Sequence, residues 1–302
     1  GHPDHRGIAR EAVRKSQVLL KNENQRLPLS PRGTYLVTGP GADNIGQQSG
    51  GWSVSWQGTG NSNSDFPGGT SILDGIERQV SAAGGRVVRD INADVDAAVV
   101  VFGETPYAEG QGDTYTVAWY DKRGERKLIN ALVGKGIPVV AVFLTGRPMW
   151  INDVLNQSDA FVVSWLPGTQ GEGIADVLLR DANDAVQFDF VGKLPMPWPA
   201  FDVNARDRDM PVDAFVFPIG YGLSVTQDTV WSTLSEELIG ADNSLDQEVF
   251  KGGPRGSWKL FTGDKSDWTV EVTSSIAQPS SGSVEVRSSG RDVQEVRRRS
   301  TF

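Results

Sequence analysis

Cysteine is absent from the 302 residues. That excludes disulfides, thiol catalysis, zinc–thiolate sites and iron–sulfur clusters together. It leaves the compartment open, because exported proteins can do without disulfides. Histidine is almost as scarce: His2 and His5, both at the extreme N-terminus, are the whole complement. A Ser-His-Asp triad or a multi-histidine metal centre has no material here. No metal or other cofactor is expected, and acid–base chemistry falls to carboxylates. An excess of positive charge is also missing, with 29 Lys and Arg against 38 Asp and Glu and a net charge of -9. A protein that held nucleic acid by general electrostatics would be basic, so no nucleic-acid partner is expected. A neutral substrate such as a sugar suits an acidic surface. No run of about 18 apolar residues occurs, so no membrane span is expected. Gly1 is not an initiator and no charged region leading into an apolar stretch follows it, so the chain reads as processed or as a fragment.

What is present is a globular composition, 38% hydrophobic and 22% charged, with 9 Trp against 5 Tyr. Tryptophan in excess suits stacking on sugar rings, and it suits a large core equally well. Helical spacing predicts helices over Asp4–Ser16, Ser71–Ala83, Gly124–Val133 and Gly171–Leu179. Apolar, β-branched runs predict strands at Tyr35–Thr38, Arg86–Val88, Ala97–Phe102, Pro138–Leu144 and Ala160–Ser164. Val18–Leu20 is a shorter apolar run, closed by the polar stretch Lys21–Asn24. Buried strands alternating with amphipathic helices imply an α/β fold with a mostly parallel sheet between helices. In such sheets the sites lie beyond the carboxyl ends of the strands, here the loops after Thr38, Phe102, Leu144 and Ser164.

The rhythm changes after Leu223. Ser257–Thr262, Trp268–Ser274, Ser283–Arg287 and Val293–Arg297 are short alternating segments, the pattern of an antiparallel β module. The expected organisation is an α/β sandwich domain over 1–224, a linker over 225–256 and a β module over 257–302. Four strands are too few for a two-sheet sandwich, so the module is expected to be partial and to complete itself elsewhere.

The most informative segment is Gly103–Asp113 (GETPYAEGQGD), which begins where a buried strand ends. It places Glu104, Glu109 and Asp113 on a backbone loosened by three glycines. Glycosidic hydrolysis uses two carboxyl groups, one to protonate the leaving oxygen and one to attack or to activate water, and a loop of this kind can present one. A solvated acidic loop is the other reading of the same spacing. In Gly50–Gly58 (GGWSVSWQG), within a long loop from Gly46 to Gly69, one tryptophan is expected to stack on sugar and the other to anchor the loop to the core. Gly39-Pro40-Gly41 lacks the last glycine of the dinucleotide fingerprint and reads as a strand-ending turn.

Taken in order, these segments resemble the C-terminal half of glycoside hydrolase family 3, the β-glucosidases and exo-β-glucanases. The resemblance runs from about Arg6 to Leu223 and rests on eight segments. They are Arg10–Asn22 (REAVRKSQVLLKN), Leu27–Leu29 (LPL), Gly50–Gly58, Gly103–Asp113, Gly146–Pro148 (GRP), Trp165–Gly168 (WLPG), Gly192–Pro195 (GKLP) and Pro218–Ser224 (PIGYGLS). The tryptophan loop together with the PYAEGQGD loop points to the exo-1,3/1,4-β-glucanase-like branch.

The resemblance implies a retaining exo-acting enzyme that releases glucose from β-glucans or β-glucosides, periplasmic or secreted. It implies that Glu109 is the catalytic acid/base and that Trp56, of the W-Q-G triplet, binds the substrate by stacking, leaving the anchoring role to Trp52. No role passes to Glu104 or Asp113. The family's aspartate nucleophile sits on a (β/α)8 barrel that this sequence does not contain. A barrel domain on another chain or another part of the same protein is therefore the expected partner, and the chain alone is expected to be inactive. A carbohydrate-binding or interaction module without catalysis is the alternative reading.

Overall fold

The computed structural model describes residues 2–114, 116–202, 215–229, 231–237, 258–261 and 267–270. The chain divides into two compact units, Gly1–Leu238 and Ile239–Phe302. The first is built on a six-stranded sheet of β1 (Val18–Asn22), β2 (Thr34–Thr38), β3 (Arg86–Val88), β4 (Ala97–Gly103), β5 (Val139–Leu144) and β6 (Ala160–Ser164). Their order is β1-β6-β5-β4-β2-β3. All neighbours are parallel except β1, which runs antiparallel to β6. A short antiparallel pair, β7 (Trp198–Pro199) with β8 (Phe215–Phe217), completes the described strands of this unit.

Side chains alternate across the strands, and both faces are buried because helices cover both. On one side Val99, Val101, Val142 and Val162 pack with α1 (Pro3–Ser16), α3 (Ile72–Ala82) and α6 (Glu172–Leu178). On the other, Val100, Phe102, Phe143 and Phe161 pack with α4 (Glu125–Gly134), α5 (Asn152–Gln157), Trp119 and Trp198. The helix starts follow local chemistry. His2 accepts from the Asp4 amide at the head of α1, Ser71 and Asp74 form a capping box on α3, and Asp121 accepts the Gly124, Glu125 and Arg126 amides at the head of α4.

Four features depart from the sequence reading. Lys21, read as a polar stop, is fully buried in β1. Its ammonium donates to the Leu155 and Asn156 carbonyls at 2.9 and 3.3 Å, pairs with Glu23 at 3.0 Å and lies 4.3 Å above the Trp231 ring. These partners replace water, while burial pushes its pKa below the ordinary lysine value. The long loop after β2 contains a five-residue helix, α2 (Ile45–Ser49), capped by Asn44. Helix α5 is too short for its periodicity to show in sequence. Residues 225–229 and 231–237, expected to be linker, lie within the first unit: Val225 is buried, Trp231 and Leu234 rest against the core, and Thr229 accepts the Asn22 amide.

The Gly39-Pro40-Gly41 turn has no amide to spare for a phosphate at Gly41, whose N–H donates to the Val101 carbonyl at 2.9 Å. In the second unit β9 (Trp258–Phe261) and β10 (Asp267–Val270) pair antiparallel, on the first two of the four expected segments. The segments Ser283–Arg287 and Val293–Arg297, and with them the completeness of the module, lie outside the described residues.

Candidate active site

The parallel strands β2, β4, β5 and β6 end along one edge of the sheet, and their loops converge there. The loop after β4 carries Glu104 and Glu109, the turn after β5 carries Arg147, and the turn after β6 carries Leu166. The segment after α2 carries Trp52 and Trp56.

Glu109 is exposed at the tip. Both carboxylate oxygens are held by indoles: Trp56 Nε1–H donates to Oε2 at 2.6 Å and Trp52 Nε1–H to Oε1 at 3.3 Å. Gln57, the residue after Trp56, joins the loops through the backbone. Its amide nitrogen donates to the Glu109 carbonyl at 3.0 Å, and its oxygen accepts the Ala108 N–H at 2.7 Å. The Trp56 indole first, and then the local backbone N–H and Trp52, hold the Glu109 carboxyl below its ordinary value, because each donor favours the charged form.

The two rings stand 6.2 Å apart at 46°. Trp52 is 70% exposed and Trp56 55%. The expected division of labour does not hold: Trp52 does not anchor its loop in the core, and both indoles face outward beside the carboxylate. The loop is fixed by polar bonds instead. The Trp52 amide donates to the Trp56 carbonyl at 2.8 Å, and Asn61 Nδ2 donates to the Ser53 and Gly58 carbonyls at 2.9 and 3.1 Å. These bonds hold Trp52 at φ 60° and Val54 at φ 63°, and across the site Leu166 sits at φ 47°. A left-handed residue other than glycine costs about 1–3 kcal/mol, and a β-branched one such as Val54 is a true outlier. Strain of that size persists where a loop must present its side chains in one place.

Glu104 and Asp113 have different surroundings. Asp113 is exposed. Glu104, with 11% of its side chain exposed, pairs with Arg147, whose Nε–H donates to Oε1 at 2.9 Å. Sequence reading singled out the Gly146–Pro148 turn but not the partner of its arginine, which lies 43 residues away along the chain. Gln57 and the indole N–H groups were likewise visible only as a motif. Among the described residues no cluster of three His, Asp or Glu is arranged to hold a metal, and no helix is long and apolar enough to cross a membrane.

An exposed carboxylate on a loop at the sheet edge, flanked by two outward-facing aromatic rings, can exchange a proton with a ligand and offer it an apolar face. Comparison with known proteins agrees in family. Residues 17–225 match the Glycosyl hydrolase family 3 C-terminal domain. The chain is 32% identical over 256 residues to a lysosomal β-glucosidase of Dictyostelium discoideum, covering 75% of this chain and 30% of that protein. It is 28% identical to a periplasmic β-glucosidase of Salmonella typhimurium, covering 91% of this chain and 42% of that one. Among solved structures, the exo-1,3/1,4-β-glucanase ExoP of a Pseudoalteromonas species is 47% identical with a TM-score of 0.74, over 79% of this chain and 31% of that chain. The chain thus spans less than half the length of each of these relatives. On the match of residues 17–225, it belongs to glycoside hydrolase family 3 through that family's C-terminal domain.

Proposed function

We propose that this chain supplies the acid/base, Glu109, and a sugar-stacking ring, Trp56, to a retaining exo-acting β-glucosidase or β-glucanase whose aspartate nucleophile lies on a (β/α)8 barrel. The observation that carries the reading is the exposed Glu109 carboxylate at the sheet edge, gripped by the indoles of two exposed tryptophans. In the first step the barrel's aspartate attacks the anomeric carbon, the glycosidic C–O bond breaks, and the proton of Glu109 passes to the leaving oxygen. In the second, water attacks the same carbon, Glu109 takes its proton, and the aspartate is released. Retention by this route places the two carboxyl groups about 5–5.5 Å apart across the domain interface.

The indole donors favour ionised Glu109, the form the second step needs. For the first step the carboxyl must be protonated, and covering it with a second, water-excluding surface raises its pKa in that direction. Substrates are β-glucans or β-glucosides, and the compartment is periplasmic or secreted, in line with the periplasmic Salmonella relative.

The test uses the chain together with its barrel. Glu109→Gln slows hydrolysis of natural glucosides by about 100- to 10,000-fold, the usual contribution of a positioned acid. It largely spares the glycosylation step of substrates with activated leaving groups, which need little protonation. Equal loss on both substrate types would overturn the acid/base role. The purified chain without a barrel should show no turnover, and turnover there would overturn the two-part mechanism. Unimpaired hydrolysis by Glu109→Gln, together with sugar binding lost on removing Trp52 and Trp56, would favour the non-catalytic binding module.

A further inference from the structure

The geometry points to Glu104 as a positioning residue that, through Arg147 and Tyr107, fixes the loop on which Glu109 is presented. The inference rests on the reading of Glu109 as the acid/base.

Glu104 is the first residue beyond β4. Oε1 accepts Arg147 Nε–H at 2.9 Å. Oε2 accepts the Tyr107 hydroxyl at 3.0 Å, the Thr145 hydroxyl at 2.7 Å and the Gly146 amide at 3.2 Å. Three donors crowd Oε2 and one holds Oε1, so both carboxylate oxygens are engaged by the protein. A group so engaged and so little exposed is a firm anchor.

The anchor holds the loop at both ends. Arg147 grips Glu104 at the start of the loop, and its Nη1–H donates to the Gly112 carbonyl at the other end, at 2.7 Å. The same guanidinium lies 4.3 Å above the Tyr107 ring. Tyr107 fills the middle. A Cβ on Gly51 would stand 2.0 Å from the Tyr107 carbonyl oxygen, and one on Gly112 would stand 2.5 Å from its ring, so backbone closes in on both sides. Burial first, and the Glu104 charge after it, push the Tyr107 phenol well above its ordinary value, so it remains a donor to Glu104. Glu109 lies two residues beyond Tyr107, inside the turn closed by the Gly112 amide on the Ala108 carbonyl at 2.8 Å. Its placement against the two indoles follows from the lock behind it.

The test has two arms. In the first, the indole N–H signals of Trp52 and Trp56 in the chain are followed by 1H–15N NMR through the carboxylate range, with Glu109→Gln as the reference for a lost titration. In the parent both signals titrate with Glu109. In Glu104→Gln they leave their bonded positions, and their common midpoint rises toward the ordinary glutamate value. Tyr107→Phe, which removes one hydroxyl and keeps the ring, gives a smaller change of the same sign and carries the test if Glu104→Gln does not fold. Unmoved signals in Tyr107→Phe and in a folded Glu104→Gln would overturn the proposal.

In the second arm, with the barrel present, Glu104→Gln lowers kcat on natural glucosides by about 100-fold, the scale of an ångström's misplacement, with KM little changed. Azide, a nucleophile that needs no general base, does not rescue this variant, whereas it rescues Glu109→Gln on activated substrates. Azide rescue of Glu104→Gln would make Glu104 a reacting carboxylate and overturn the positioning role. Failure of azide to rescue Glu109→Gln would instead sink the acid/base reading, and leave the NMR arm to decide the lock.

Discussion

Asp176 is a single buried carboxylate that ties three helices together, and replacing it by asparagine isolates what its charge contributes. It lies on α6 with 1% of its side chain exposed. Oδ1 accepts from Arg10 Nη2 at 2.6 Å and Gln79 Nε2 at 2.7 Å, and Oδ2 from Arg10 Nε at 2.7 Å and Arg14 Nη1 at 3.0 Å. Arg10 and Arg14 belong to α1 and Gln79 to α3. Asparagine keeps one oxygen and turns an NH2 group toward two arginine donors, so two charge-assisted bonds are lost. Each is worth about 1.5–3 kcal/mol. Because 34% and 19% of the two arginine side chains are exposed, water can take up part of the deficit. The low end applies, about 3 kcal/mol at neutral pH. For a unit of this size that lowers Tm by about 6–12 °C.

The pH dependence separates charge from shape. Burial on its own would raise the Asp176 carboxyl, but the bonds from Arg10 and Arg14 outweigh it and hold the group below its ordinary value of 3.8. A depressed carboxylate adds stability above the unfolded pKa and loses it as pH falls through the folded one. The amide introduced by Asp176→Asn does not titrate. The gap between parent and variant is therefore constant above about pH 5 and narrows below about pH 4. Urea unfolding of both proteins, followed by tryptophan fluorescence across that range, measures it. A gap under about 1 kcal/mol at neutral pH, or one that keeps its size in acid, would refute the reasoning.

Other changes probe the site. Trp56→Ala removes a ring that is 55% exposed, so the fold loses little, while titration calorimetry should show oligosaccharide binding about 10-fold weaker, the loss of one aromatic contact; unchanged affinity would end the stacking role. The same variant removes the 2.6 Å bond to Glu109, so the Glu109 carboxyl should titrate nearer its ordinary value by NMR. Gly51→Ala places a Cβ 2.0 Å from the Tyr107 carbonyl. Thermal unfolding should show a loss of about 1–3 kcal/mol, as for overpacking at a rigid neighbour, and an undisturbed protein would mean the two loops part easily.

The sheet was legible in the sequence because its information is local. Each of β4, β5 and β6 is a continuous apolar run, which only a strand covered on both faces requires, and helices α1, α3, α4 and α6 show a 3.6-residue period. From alternation alone it followed that the candidate loops lie after Thr38, Phe102, Leu144 and Ser164. The motifs placed Glu109 and Trp56 there as candidates. Antiparallel pairing of β1 could not be read, since direction depends on which strand is met in space. Nor could the burial of Lys21, whose partners Leu155 and Asn156 lie 134 and 135 residues away.

The tertiary structure alone decided which of the acidic loop's carboxylates is anchored and which is offered. Glu104 and Glu109 are the same residue type, five positions apart on one loop. One meets Arg147, Thr145 and the Gly146 amide from the neighbouring strand's turn, the other meets two indoles from the loop after α2. Composition and spacing cannot tell them apart, because a carboxylate's role depends on the donors and solvent that reach it, and those are supplied by chain far away in sequence.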